Sequence, residues 1–488
     1  MWREILKLLA LLAVLFALLY FLRRGGNFVP HDPPPATLVD THLGGAKGIE
    51  LCGAASLGMR PLPIEMVYSE DLRSWIEPAL DKFARACPNI QVRLTAMPDI
   101  EAADAILAGR VQPTIWAATD DLSLLYLEHR WTHRGDELPF SRRDRMELVH
   151  SPLVALIWQD RLRLLTALLR GTQSEEGRWT RSLCAGIARD PDLTGLPQEN
   201  LLPGTWSAWY EPMLAALAPV SVVPVRRGKR LPPPPPPPPP APRSEPLPTL
   251  DQVRAWGRVK LGHTSPTRDS AGLAALYLLS YDYLLPPKSA PAASDGGGGD
   301  EKSPSSAASF EDAYSAGRIA LRKWLRRCEG GLDLPPRSAR QLTANLFNVG
   351  ASLYDGVITY EHLALPYLDR VDTHAAALGR LAVVYPEPTL MARHPAVVFR
   401  TSPEKKEVAE RWLKYLLSKP MQQAAVDSGF RPVSPEVTLR GYDAETNAFL
   451  RLRRYGVVIQ PTLNEAPRIS GKTVSSLIEL WGEVTGRN

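Results

Sequence analysis

Apolar and polar residues alternate from Ile64 to Tyr68 and again from Ile90 to Leu94, the two-residue period of half-buried strands. Between them, from Ser69 to Ala86, Leu72, Ile76, Leu80 and Phe83 recur at helical spacing. Glu101 to Leu107 reads as a second helix ending at Gly109, and Thr114 to Ala118 as a third strand. A β-α-β-α-β start with short connections predicts a parallel sheet, whose ligands usually lie beyond the carboxyl ends of the strands. Those ends are Ser69-Glu70 and the run Ala118 to Asp121.

Further strands are predicted at Leu153 to Trp158, Gly356 to Tyr360 and Leu381 to Tyr385. Helical patterns occupy Phe310 to Cys328, Ala339 to Val349, Val408 to Leu417 and Val474 to Val484. Lys260 to Gly262 reads as a short strand, followed by a turn containing Thr264, Ser265 and Thr267. Ser270 then opens an apolar helix through Leu273 to Leu279. A helix start leaves backbone N–H groups unpartnered and carries partial positive charge, which suits an anion or a polar ligand. The plainer reading is Ser270 as an ordinary N-cap.

Composition adds boundaries. The 488 residues are 44% hydrophobic and 22% charged, enough for a large core in two or three structural units. A net charge of +5 without interleaved basic and aromatic residues speaks against nucleic acid. Leu8 to Leu22 is an unbroken apolar run between Arg3, Lys7 and Arg23-Arg24. Fifteen helical residues cover about 22 Å, short of a hydrocarbon core of about 30 Å. Ile5 and Leu6 extend the run, and the flanking Lys7 and Arg23 can snorkel, so residues 5–22 are expected to enter a bilayer. Since no small-residue cleavage site follows, residues 1–24 read as an uncleaved signal anchor, with a cleaved signal peptide as the competitor. The short amino-terminal tail places the bulk of the chain outside the cytoplasm, as a single-pass inner-membrane protein. Residues 25–62 are a Gly- and Pro-rich tether.

Forty-seven prolines point to insertions as well. Residues 226–248 hold a run of nine prolines, Pro232 to Pro240, a polyproline II spacer of about 28 Å. Residues 285–309, with Gly296 to Gly299, form a second low-complexity insertion. Cys52, Cys87, Cys184 and Cys328 are widely spaced without a CxxC pair, which disfavours zinc and permits disulfides in an exported chain. Cys52 lies too far from the apolar run for a lipoprotein cysteine.

Catalytic motifs are weak. Ser402 and Lys405 share the Ser-x-x-Lys spacing, but Ser402 precedes an amphipathic helix and reads as an N-cap. His129 and His133 stand at i, i+4 with no third ligand candidate nearby. No metal, no cofactor and no enzyme activity are expected.

The ordered set of segments resembles the bacterial extracellular solute-binding proteins of the type II periplasmic class, in the molybdate- and sulfate-binding-like branch. The segments are Ile64 to Ser69, Gly109 to Trp116, Ser151 to Val154, Gly262 to Pro266 with Ser270 to Leu273, and Tyr354 to Glu361. Val383 to Pro386, Ala409 to Leu417 with Gln422-Gln423, and Gly429 to Pro432 complete it. The resemblance implies an α/β fold of two Rossmann-like lobes joined by two hinge strands, near Val154 to Trp158 and Leu381 to Tyr385. Lobe one would be residues 63–152 plus 386–488, and lobe two residues 153–385. It implies an interlobe cleft lined by Ser69, Glu70, Thr119, Ser151, Thr267, Arg268, Ser270, Gly272, Thr359 and Tyr360. The ligand would be a small polar solute such as an oxyanion, delivered to an ABC permease. Glu70 and Asp120-Asp121 run against an anion, so Arg268 offsets them or the ligand is cationic, sugar-like or peptidic. Relatives carry a von Willebrand A domain after this module. The chain lacks its Asp-x-Ser-x-Ser motif, so such a domain is expected only as a membrane partner. The alternative function is a sensor or an envelope-complex assembly module on the same fold.

Overall fold

The first sheet is built on β1 (Leu62–Ser69), which pairs in parallel with β2 (Ile90–Met97) and with β3 (Ile115–Ala117). From Met66 to Ser69 every residue of β1 is buried, as expected of a parallel strand covered on both faces. The computed structural model describes residues 62–171, 206–207, 247–285, 309–329, 335–368, 380–439 and 447–486. All of these belong to one compact unit, Asp40–Asn488. The proposed signal anchor, the tether and nearly all of both low-complexity insertions lie outside the described residues. Among the described residues, no helix is long and apolar enough to cross a membrane.

The first sheet continues through β10 (Pro395–Val398), antiparallel to β3, and ends at β4 (Met146–Glu147), in the order β2-β1-β3-β10-β4. Helix α1 (Arg73–Ala86) connects β1 to β2, α2 (Asp99–Leu107) connects β2 to β3, and α3 (Asp121–Thr132) follows β3. The expected helix from Ser69 is split: Ser69 caps a single 3-10 turn, Glu70–Leu72, before α1 begins.

The second sheet centres on β5 (Val149–Trp158), a strand long enough to serve two neighbourhoods. Near its start it pairs with β11 (Arg431–Pro432) and β9 (Met391–Ala392). From Leu153 it pairs with β7 (Gly356–Tyr360), and from Ala155 with β8 (Leu381–Val384). The short β6 (Leu261–Gly262) lies parallel to β7 at the edge. The sequence pattern located β7 and the core of β5, β6 and β8 but not β9 or β11, and β5 and β8 are the two segments expected to run between lobes.

Helix α4 (Ser270–Leu284) is buried nearly all round, which is why its sequence shows an apolar run instead of a stripe. Its Leu273, Leu276 and Tyr277 share one core cluster with Trp116 and Leu127 of the first sheet's elements. Trp324 of α5 (Phe310–Glu329) and Trp481 of α9 (Gly471–Thr485) belong to the same cluster. Helices α6 (Ala339–Val349), α7 (Pro403–Leu416) and α8 (Lys419–Asp427) complete the layers used below. Ser402 caps α7 by accepting from the Lys405 N–H, the capping role read from sequence. Cys87 is disulfide-bonded.

Candidate functional site

The parallel pairing brings three strand ends level: Ser69 lies opposite Met97, and Tyr68 opposite Ala117. Each strand therefore delivers its next polar residue to the same place. β1 ends on Ser69 and β3 leads to Thr119 and Asp120. β2 leads through Pro98 to Asp99, the first residue of α2. Proline fixes an extended entry, with φ −59° and ψ 144°, so the helix starts abruptly and Asp99 stands at its positive end.

Asp99 is fully buried and is the hub of the site. Its Oδ2 accepts from Ser69 Oγ at 3.1 Å and from Ser270 Oγ at 3.0 Å. Thr119 Oγ1 lies 2.8 Å from the same oxygen and 2.6 Å from Ser69 Oγ, while the Thr119 backbone N–H donates to Asp99 Oδ1 at 2.8 Å. Ser270 in turn lies 3.3 Å from the Tyr360 hydroxyl, which donates to Asp120 Oδ2 at 3.0 Å. Residues from the first sheet (Ser69, Asp99, Thr119, Asp120) thus meet residues at the start of α4 and the end of β7. The backbone reinforces this junction. The Ile100 and Glu101 N–H groups, unpartnered within α2, donate to the Arg268 carbonyl at 2.9 and 3.2 Å.

Four buried carboxyls crowd the junction: Asp71, Asp99, Asp120 and Asp269. Burial, followed by the charge of Asp99, pushes Asp71 up to about 8 and Asp120 up to about 7. Burial, then Asp71 and Asp99, raises Asp269 well above the carboxylate range. Burial raises Asp99 too, but the Thr119, Ser270 and Ser69 donors oppose it. Four carboxylates this close cannot all ionise. The donors gather on Asp99 and Asp120, which accepts from Ser123 and Tyr360, whereas Asp269 accepts one hydroxyl, Thr264 Oγ1 at 2.7 Å, and neither Asp71 oxygen has a hydrogen-bond partner.

Of the residues expected to line the cleft, Ser69, Thr119, Ser270 and Tyr360 converge. Ser270 is the first residue of α4 rather than its cap; Asp269 takes the cap position, which frees the Ser270 hydroxyl for Asp99. The other six do different work. Thr359 Oγ1 turns to Thr343 Oγ1 at 2.7 Å, because alternate residues of a strand face opposite sides. Thr267 pairs with Ser265, and Gly272 allows close backbone packing, since a Cβ there would meet the Thr264 carbonyl at 2.2 Å. Arg268 contributes its carbonyl while its side chain is exposed, so it does not offset the buried acids. Glu70 is half-buried and offers only its carbonyl, to Arg340 Nε at 3.2 Å.

Ser151 belongs to a neighbouring pair: its Oγ lies 2.9 Å from His362 Nδ1. His362 Nε2 faces the Asp71 carbonyl at 3.2 Å, so no carboxylate orients the imidazole as in a catalytic triad. Burial holds His362 well below its ordinary value, and nearby His394, also fully buried, is pushed down to about 3. Both ring nitrogens of His394 lack hydrogen-bond partners. Among the described residues, no three His, Cys, Asp or Glu side chains form a metal-holding group. A cavity of about 140 Å³, lined by Arg258, Lys260, Pro336 and Tyr354, includes none of the converging residues.

Sequence reasoning missed Asp99. The rule that ligand loops follow the carboxyl ends of parallel strands had been applied to β1 and β3; applied to β2 it leads directly to Pro98-Asp99.

Residues 222–431 match the family model of the bacterial extracellular solute-binding proteins. No curated protein matches the sequence significantly. Among solved structures, the chain is similar to the sulfate-binding protein SubI from Mycobacterium tuberculosis H37Rv, at 14% identity, covering 77% of this chain and 88% of that one, with a TM-score of 0.38. It is also similar to iron-bound HitA from Pseudomonas aeruginosa, at 11% identity over 87% of this chain and 99% of that one, with a TM-score of 0.44. A periplasmic thiamin binding protein is similar at 10% identity, over 88% and 99% of the two chains, with a TM-score of 0.46.

Proposed function

Since residues 222–431 match the bacterial extracellular solute-binding family, we propose that the chain is a membrane-anchored, extracytoplasmic binding module. It captures a small polar solute, through an oxyanion group, between two lobes. The observation that carries this reading is the donor set: three hydroxyls and one backbone N–H, from the ends of β1 and β3 and the start of α4, converge on a single carboxylate. Neutral donors at buried helix starts can hold an oxyanion without a countercharge. β5 and β8 are the crossing segments, residues 63–152 plus 386–488 and residues 153–385 the lobes, and an ABC permease the recipient. The apolar run of residues 5–22 supports the anchor, and the disulfide at Cys87 supports an oxidising compartment.

The second reading, a sensor or assembly module that transports nothing, draws on the same donors, because Asp99 already satisfies them. Thermal shift on the full chain separates the two. Sulfate, molybdate and phosphate are expected to raise the unfolding midpoint, with sugars and amines as controls. A flat response to every oxyanion at millimolar concentration defeats solute capture.

A further inference from the structure

We propose that Asp99 is a built-in surrogate ligand: the protein's own carboxylate occupies an oxyanion seat and holds the two halves together. Deleting that side chain then turns the seat into a site for small carboxylates. The inference rests on the reading of these hydroxyls as the ligand-facing set, but its test is separate from transport.

Three features support it. First, the seat takes one carboxylate and presents only neutral donors to it, from residues 30, 20 and 171 positions away in sequence. A carboxylate recruited for helix capping alone would bond within its own helix, whereas the Asp99 side chain accepts only from residues outside α2. Second, the bond to Ser270 crosses between the two sheets' elements, next to the Arg268 carbonyl that caps α2. Occupation of the seat and docking of the halves are therefore one event. Third, the neighbouring Asp71 and Asp269, with no donor and one donor on their side chains, are driven toward their neutral forms, while three hydroxyls gather on Asp99. A native solute reaches these donors by displacing Asp99, which requires a carboxylate or another oxyanion on the solute.

The test is chemical rescue. Asp99→Ala leaves a seat of carboxyl size lined by hydroxyls, and formate or acetate should refill it. At about ten times its Kd, such an anion stabilises by RT ln(1 + [L]/Kd), raising the midpoint by about 2 °C. Wild type, whose seat is filled, should not respond at the same concentration, and Asp99→Ala with Ser270→Ala should lose most of the response. If Asp99→Ala lacks a cooperative transition, recovery of one on adding formate is the supporting result. An Asp99→Ala chain that ignores formate and acetate, folded or not, overturns the proposal, as does an equal shift in wild type. Rescue without any solute response in wild type keeps the surrogate and removes the transport reading; a wild-type oxyanion response without rescue does the reverse.

Discussion

Two buried polar clusters join the elements of this fold, and they solve the same electrostatic problem in opposite ways. At the Asp99 seat one carboxylate is surrounded by neutral donors and by three other acids. Around Glu361, which follows β7, the carboxylate meets a full opposite charge: Arg431 Nε and Nη2 bond its two oxygens at 2.7 and 2.8 Å. Tyr385 also donates to Glu361, and Arg431 directs two further donors to the Val458 and Ile459 carbonyls, each at 2.6 Å. The first cluster can exchange its anion, since hydroxyls rotate and neighbouring acids can take or release protons. The second cannot: removing either partner strands a buried charge. The difference separates a seat from a tie.

The largest effect should come from the tie. Arg431→Ala leaves Glu361 buried without its partner and is expected to cost about 3–5 kcal/mol in denaturant unfolding. A loss below about 1 kcal/mol would mean that water reaches Glu361 and that the two clusters are not opposites. Asp99→Ala should cost less, about 1–3 kcal/mol, because lost hydrogen bonds are partly offset by relief of repulsion on Asp71, Asp120 and Asp269.

The pH response sharpens the contrast. Asp71 and Asp120 hold protons in the folded state that the unfolded chain has already released, so stability falls as pH rises toward their folded values of about 8 and about 7 and levels off above them. His263, raised by Glu329, contributes in the same direction. The depressed histidines, His362 and His394, act below about pH 6.5, where their loss of stability on acidification sets the other limb. Between about pH 6.5 and 8, the stability of wild type should drop, by up to about 1.4 kcal/mol per pH unit for each proton held only by the folded state. Asp99→Ala should flatten that slope, since the charge that helps raise both acids is gone. An unchanged slope would place the titration elsewhere.

Smaller still, Ser270→Ala removes one donor from the seat and should cost about 1 kcal/mol. Arg268→Ala should stay within about 0.5 kcal/mol, because its carbonyl, not its exposed side chain, makes the contact.

Much of this organisation was legible in advance. The two-residue and helical periods located β1, β2, β3, β7 and α6, because burial of one face or both leaves its mark in local sequence. Ser69, Thr119 and Ser270 were found by asking where parallel strands end and helices begin, and Tyr360 through the family resemblance. Thr359 and Tyr360 were indistinguishable by that reasoning, although the pleat sends their side chains to different neighbours. Arg268 was misjudged for a related reason: a charge beside a predicted site counts only if its side chain turns inward. Asp99 reads locally as an unremarked acid in the first turn of a helix.

The sequence by itself determined the elements, their order and the positions of polar residues at their ends, since these follow from hydrophobic period and helix-start chemistry within a few residues. Tertiary structure alone decided that a carboxylate at the start of α2 would occupy the seat that Ser69 and Thr119 form with Ser270. That choice depends on groups 171 residues apart in the chain meeting out of water, where one carboxylate gathers three hydroxyls.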